Sequence, residues 1–374
     1  MTGKRPAAMK ILLVVTGLGV GGAERVVTSL ADSFAGRGHE VVIAYLTGRA
    51  LLRPRCRQIR VVDLQVDSAY TLARAYLRLR HLIKAFEPDI VHSHMVHANL
   101  LARLLRLSVG IPRVISSAHS THEGGRLRMA LYRLTDRLAD ISTNVSDAAV
   151  EAFVARRAVP PGRMITVHNG ISTDEFRYSE FYRQELREEL GLAPDCPLIL
   201  AVGRLYEAKD YPTLLAALGR LGPDAPDFRV LIVGDGPLRA RLVAQAEALG
   251  LAGRLRFLGV RSDVARLMTA ADIFVLSSAW EGFGLVVAEA MACQRVVVAT
   301  DSGGVKEVLG DAGGLVPARD PEALARGLRW ALGLSERERA MLGERARRRV
   351  QERFSLDAAA ARWLALYAGS TGLA

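Results

Sequence analysis

Lys10-Ile-Leu-Leu-Val-Val-Thr-Gly-Leu-Gly-Val-Gly-Gly-Ala-Glu24 opens with an unbroken apolar run, Ile11 to Val15, and then places glycine at positions 17, 19, 21 and 22. An apolar run of that length suits a strand buried on both faces. Glycines directly after such a strand suit a turn where backbone comes close to a ligand. Helical periodicity follows from Glu24 to Ala35. Strand, glycine loop and helix are the first unit of a doubly wound α/β domain. Lys4, Arg5 and Lys10 before the apolar stretch Ile11–Ala23 imitate a secretory signal. The glycines interrupt the second half of that stretch, which favours a strand and loop over a leader.

The same rhythm continues outward. Glu40–Leu46, Ile90–Ser93 and Arg113–Ser117 read as buried strands, and Thr71–Phe86 and Ala98–Leu107 carry a 3.6-residue period. A second cycle begins at Pro197–Gly203 and runs through Val230–Gly234, Leu255–Leu258, Ile273–Leu276 and Val296–Ala299. Alternating strands and helices imply mostly parallel sheets covered on both faces. The turn-rich segment Gly191-Leu-Ala-Pro-Asp-Cys-Pro197 separates the cycles. Residues 1–192 are therefore expected to form a first domain and 193–354 a second, with a closing helix at about 355–374 packing back on the first. Ligands of such sheets bind beyond the carboxyl ends of the strands.

Composition agrees with two domains. The chain has 374 residues, half of them apolar and only 6% aromatic, so its cores must be aliphatic. Cys56, Cys196 and Cys293 are far apart and odd in number, which excludes a disulfide framework or a zinc knuckle and points to a reducing cytoplasm. No apolar run is long enough to span a bilayer. The formal charge of +11 is uneven: residues 1–195 hold 27 Lys and Arg against 19 Asp and Glu, and residues 196–374 hold 23 against 20. Arg53, Arg55, Arg57 and Arg60 form a dense patch. A basic first half suits anionic lipid, a diphosphate-bearing acceptor or nucleic acid, or is simply a solvated arginine-rich surface.

Several loops that follow strands carry unusual residues. Gly17 to Gly22 fits Gly-x-Gly-x-x-Gly, yet the second strand ends Ala44-Tyr-Leu-Thr-Gly48 without the carboxylate that a dinucleotide ribose requires. What remains is a helix N-terminus suited to an anion or sugar. Glu281-Gly-Phe-Gly-Leu-Val-Val-Ala-Glu289 puts one carboxylate in a loop and the second inside the next helix, so they can hold different parts of one elongated ligand. Arg204 and Lys209 follow the strand ending Val202-Gly203 and bracket a position for a diphosphate. Gly234-Asp-Gly-Pro237 closes the next strand, Asn169-Gly170 ends the first half, and Gly303-Gly304 with Glu307 follows Ala299-Thr300. His92, His94, His97, His119, His122 and Glu123 could be drawn as a metal cluster, although polar residues at strand ends commonly line ligand sites.

Taken jointly and in order, Gly21-Gly-Ala-Glu24, Asn169-Gly-Ile…Phe176, Gly203-Arg204…Lys209, Gly234-Asp-Gly-Pro237 and Glu281…Glu289 resemble glycosyltransferase family 4. The resemblance covers Lys10 to Tyr367. It implies the GT-B fold, two Rossmann-like doubly wound domains facing a central cleft, and a retaining glycosyltransferase. It also implies roles for individual residues. Arg204 and Lys209 would bind the donor diphosphate, with Gly203 and Gly234 beside them. Glu289 would meet the ribose hydroxyls and Glu281 the donor sugar, with backbone of Phe283-Gly284-Leu285 approaching phosphate or sugar. His119 would face the reacting centre, Gly21 and Gly22 the donor phosphate, and His94 and Asn169 the acceptor. Lys209-Asp210 departs from the Lys-Gly of many relatives.

The catalytic set implied is therefore His119, Glu281, Arg204 and Lys209. No Asp-x-Asp occurs, so neither a metal nor another cofactor is expected. The expected donor is a UDP-sugar carrying an N-acetylhexosamine or hexose. The acceptor is expected to be lipid-linked or a glycan in bacterial surface polysaccharide biosynthesis, and the chain to be cytoplasmic, at the inner face of an anionic membrane. The alternatives are a GDP-mannose-dependent mannosyltransferase and a membrane-bound sugar-nucleotide binder without catalysis. A nucleic-acid partner is not expected, because no aromatic stacking platform lies among the basic residues.

Overall fold

A computed structural model describes residues 8–193, 195–222 and 226–369. Lys4, Arg5 and Pro194 of the segments discussed above lie outside the described residues, as do residues 370–374 of the expected closing helix. Two compact units divide the chain: residues 1–170 with 356–374, and residues 171–355.

In the first unit the elements are β1 (Lys10–Gly17), α1 (Gly22–Gly36), β2 (Glu40–Thr47), β3 (Arg60–Asp63), α2 (Ala69–Phe86), β4 (Ile90–His94), α3 (Val96–Leu105), β5 (Arg113–Ser117), α4 (Arg126–Thr135), β6 (Ile141–Asn144), α5 (Asp147–Ala155) and β7 (Met164–Thr166). The second unit holds α6 (Glu180–Glu189), β8 (Leu198–Val202), α7 (Tyr211–Gly219), β9 (Arg229–Val233), α8 (Arg239–Ala248), β10 (Leu255–Gly259), α9 (Val264–Ala270), β11 (Ile273–Leu276), α10 (Leu285–Ala292), β12 (Val296–Asp301), α11 (Val305–Leu309), β13 (Gly314–Pro317), α12 (Pro321–Gly333) and α13 (Glu336–Arg353). Helix α14 (Leu356–Tyr367) belongs to the first unit.

Both sheets are parallel throughout. Their orders are β3-β2-β1-β4-β5-β6-β7 and β10-β9-β8-β11-β12-β13. Strand order reverses between β1 and β4 in one sheet and between β8 and β11 in the other. Those reversals are the switch points at which loops diverge and leave room for a ligand. Ile11 to Val15 in β1 are fully buried, as expected of a strand covered on both faces.

Four strands escape the apolar-run reading, and each has a cause. β3, β7 and β13 are short sheet edges, and β3 begins at Arg60 of the basic patch. β6 is central but polar, Ile-Ser-Thr-Asn. Its hydroxyls serve a buried network instead: Arg103 donates to Ser116 Oγ (3.1 Å) and Ser142 Oγ (2.9 Å), and Ser142 donates to Asp136 (2.8 Å). Arg103, a residue of α3, also donates to the Tyr132 carbonyl and to Thr135 Oγ1, so its buried guanidinium is well satisfied.

The units part at residue 170, ahead of α6, rather than at 192. Two arginines anchor α6 to the second unit: Arg183 and Arg187 pair with Asp272 at 2.6 and 3.2 Å and donate to the Ala270 carbonyl at the end of α9. At the other junction, α14 packs into the first unit, where Tyr367 meets Phe34 edge-on at 5.5 Å. Recounted by compact unit, the charge separates further. The first unit carries 25 Lys and Arg against 13 Asp and Glu, a net +12, and the second 25 against 26, a net −1.

Asp272→Ala leaves two nearly buried guanidinium groups without their carboxylate. It is expected to destabilise the second unit by roughly 3 kcal/mol, read as a lowered midpoint for that unit in thermal unfolding.

Candidate active site

In the second unit the chain leaving β8 runs through Gly203 and Arg204 into a 3-10 turn at Glu207–Lys209, and the chain leaving β11 reaches Glu281. Because β8 and β11 are neighbours at the switch point, the two loops meet. Lys209 Nζ lies 2.5 Å from Glu281 Oε1, and Ser278 Oγ donates to the same oxygen at 2.7 Å. Ser277 Oγ donates to the Lys209 carbonyl (2.7 Å) and the Ala279 amide to the Ala208 carbonyl (2.8 Å), so the loops are stitched by backbone as well as by charge. The side chains of Lys209 and Glu281 keep 19% and 15% of their surface, enough to meet a ligand and little enough to limit screening. Tyr211, at the start of α7, donates to the Gly203 carbonyl at 3.0 Å, and burial followed by the Glu281 charge holds its phenol above the ordinary range.

The glycine turns let these loops close. Gly234 has φ +134°, and a Cβ there would collide with the Gly203 carbonyl oxygen. Gly284 caps α10 at φ +88°, so the first turn of that helix aims its backbone N–H groups toward the end of β11. Glu289 lies inside α10 and is 3% exposed, while the Phe283 ring turns into the core against Phe354 (5.5 Å, edge-on). Only the backbone of Phe283 is thus available to a ligand beside Gly284 and Leu285. Arg204 is exposed, its guanidinium 5.7 Å from the Tyr206 ring.

In the first unit the ends of β4 and β5 gather three imidazoles. His94 Nδ1 and His119 Nε2 are 3.0 Å apart, and the rings of His92 and His94 lie 4.0 Å apart, tilted by 39°. His92 is fully engaged, through Nδ1 with Tyr367 Oη (2.6 Å) and through Nε2 with Ser117 Oγ (2.7 Å). His94 Nε2 and His119 Nδ1 are buried without a partner among the described residues. Whichever ring donates between the pair, one end keeps an unused N–H and the other an unused lone pair. The two unused nitrogens lie at opposite ends of the pair, one a donor and the other an acceptor. Gly21 caps α1 after β1, with Gly22 opening the helix, and Asn169 is 6% exposed just before the junction of the units.

Residues 20–175 match the model of Glycosyltransferase Family 4, and residues 182–349 that of Glycosyl transferases group 1. The chain is 30% identical over 329 residues to the alpha-maltose-1-phosphate synthase of Mycolicibacterium smegmatis, covering 80% of this chain and 84% of that one. The chain belongs to glycosyltransferase family 4. It is also similar to the lipopolysaccharide core biosynthesis glycosyltransferase LpsE of Rhizobium meliloti, 27% identical over 93% of this chain and 96% of the relative. In fold it matches Anabaena Alr3699/HepE, solved in complex with UDP and glucose, at a TM-score of 0.85 and 22% identity over 97% and 100% of the two chains. This glycosyltransferase therefore has the GT-B architecture, two Rossmann-like domains of parallel strands and alternating helices.

Within the glycosyltransferase, Lys209 and Glu281 touch, and Arg204 and Gly203 lie on the same loop. Arg204 and Lys209 differ in setting, since one is exposed and the other already ion-paired. Ser278 and Tyr211 join the site without having drawn notice in the sequence. Glu123 holds a structural post: Oε1 accepts the His119 amide (2.9 Å) and Oε2 the Tyr132 hydroxyl (2.6 Å). His122 is engaged with Arg156, and no metal-holding group of three such side chains converges among the described residues. Tyr211 and Glu123 also bond residues elsewhere in the chain, Gly203 and Tyr132, which no local signal announces.

Burial pushes His119 down to about 4, and burial with neighbouring imidazoles holds His92 and His94 well below the ordinary 6.5. The unfolded chain takes up protons below 6.5 that the fold refuses. Stability of the first unit is thus full above 6.5 and is lost as pH falls toward 4. His119→Asn is expected to flatten that loss in thermal unfolding across the interval. Parallel decline of wild type and variant would contradict the assignment.

Proposed function

We propose that this glycosyltransferase moves an N-acetylhexosamine or hexose, with retention, from a UDP-sugar to a lipid-linked or glycan acceptor in bacterial surface polysaccharide assembly. The observation that carries the reading is the Lys209–Glu281 contact at the β8/β11 switch point, next to the amino end of α10. A diphosphate there would draw Lys209, the Arg204 guanidinium and the first-turn amides of α10 toward its oxygens. Glu281 would meet sugar hydroxyls and Glu289 the ribose.

In the reaction the bond from the sugar C1 to the phosphate oxygen breaks, and its electron pair leaves with the diphosphate. Arg204, Lys209 and the helix amides stabilise the developing negative charge. The acceptor oxygen bonds to C1 on the face the diphosphate leaves, and its proton passes to the departing phosphate oxygen. Glu281 is no nucleophile in this scheme: Lys209 and Ser278 both claim its Oε1. His119 acts on the transferred sugar, and His94 and Asn169 serve the acceptor. Charge neutralisation by side chains and amides leaves no step that requires a metal.

Two further findings support the setting. HepE binds UDP and glucose on the same fold, and LpsE is named for lipopolysaccharide core biosynthesis. Among the described residues no helix is long and apolar enough to cross a membrane, so a lipid-linked acceptor would be met from the surface, through the basic first unit.

The test is a thermal-shift panel of UDP, GDP, ADP and their sugars, followed by acceptor-dependent release of nucleotide in EDTA. UDP and UDP-sugars are expected to stabilise the chain, Arg204→Ala to abolish the shift, and turnover to persist in EDTA. Stabilisation by GDP alone would replace this reading with the mannosyltransferase, and a flat panel would overturn the donor site.

A further inference from the structure

Helix α4 turns its apolar residues outward. Arg126, Leu127, Arg128, Ala130, Leu131, Arg133 and Leu134 are exposed, and only Met129, Tyr132 and Thr135 face the core. Leu127 and Leu134 keep 75% and 78% of their surface and Leu131 keeps 37%. The helical repeat of about 3.6 residues lines these leucines, at i, i+4 and i+7, into one stripe. Arg126, Arg133 and, just past the helix, Arg137 form a second stripe along one side of it, and Arg128 flanks the other. No acid is exposed on the helix. Asp136, at its end, is buried against Arg163 at 2.9 Å.

Beside the arginine stripe opens a cavity of about 680 Å³, where His122, Arg126, Met129, Arg133, Arg156 and Arg157 meet. Leu127 and Leu134, mostly in water among arginines, bury little surface in the folded chain itself. The same arrangement satisfies an interfacial helix, with leucines in the acyl boundary and guanidinium groups on lipid phosphates. A second basic patch, Arg53, Arg55, Arg57 and Arg60, lies in a loop and at the start of β3, and so has no helical stripe of apolar residues beside it.

We propose that α4 and the arginine-lined cavity beside it form the docking face for an anionic lipid bilayer, Leu127, Leu131 and Leu134 entering the acyl boundary while the arginines take lipid phosphates. The inference rests on the reading that the first unit works at a membrane, and it names the element that makes contact. Charge complementarity selects the occupant: this face is purely cationic, on a unit of net charge +12.

Full-length chain is sedimented with vesicles of equal parts phosphatidylcholine and phosphatidylglycerol, and with phosphatidylcholine alone. The wild type is expected to bind the anionic vesicles, less so as salt rises. Arg126→Gln/Arg133→Gln/Arg157→Gln should weaken binding by roughly a hundredfold, and Leu127→Gln/Leu134→Gln by about tenfold. All these positions are exposed, and unchanged melting temperatures verify folding. Substituting Arg53, Arg55, Arg57 and Arg60 together by glutamine should cost far less than the α4 arginines. A wild type that ignores anionic vesicles overturns the membrane reading itself. Binding that survives the α4 substitutions but fails on loss of the Arg53–Arg60 patch leaves that reading standing and overturns this inference. Leucine variants that bind vesicles normally, but alter self-association of the free chain, assign the face to a second copy and overturn it too.

Discussion

An ammonium group held 2.5 Å from a carboxylate at the carboxyl end of a parallel sheet is the interaction on which the donor site we propose for the second unit rests. It exists because strand order reverses between β8 and β11, which forces the loops after those strands onto the same spot. Every neighbouring feature serves that contact. Gly203 and Gly234 let the β8 and β9 loops press backbone on backbone, Ser277 and Ala279 tie the β11 loop to the Lys209 turn, and Ser278 shares the carboxylate oxygen with Lys209. In the donor complex we propose, Lys209 exchanges part of its attraction for Glu281 against the diphosphate. Ser278 and the stitched backbone then keep Glu281 in place. Preorganisation of this kind makes fixed charges effective, because little rearranges when the leaving group develops its charge.

The first unit solves a different problem with neutral groups. The imidazoles of His92, His94 and His119 are so buried that they stay uncharged near neutrality, and they present hydrogen-bonding capacity without cationic charge. Glu123 steadies the His119 backbone, and Tyr367 of α14 reaches back to His92, so α14 helps to shape the unit that contains β1. The net charge of that unit sits outside this core, on exposed arginines such as those of α4.

Much of this was legible in the sequence, for physical reasons. Strands covered on both faces read as unbroken apolar runs, so β1, β2, β4, β5 and β8 to β12 announce themselves, and ligand-facing residues must follow strand ends. That rule singles out Lys209 and Glu281, whose side chains the fold brings together. β6 is invisible to it because Ser142 and Thr143 bond Arg103 and Ser117 rather than packing as hydrocarbon. The boundary ahead of α6 is hidden likewise: Arg183 and Arg187 look like solvated helix charges until Asp272, far along the chain, is beside them. Ser278, Tyr211 and Glu123 have ordinary sequence surroundings, and their roles emerge only once the loops fold their partners Glu281, Gly203 and His119 against them.

The central claim is that Lys209 holds a diphosphate. Calorimetric titration of wild type and Lys209→Met with UDP and with uridine isolates it, since the two ligands differ only in the phosphates. The account requires UDP to bind the wild type far more tightly than uridine, and that advantage to fall by roughly a hundredfold in Lys209→Met. An advantage that survives the substitution undiminished would contradict it.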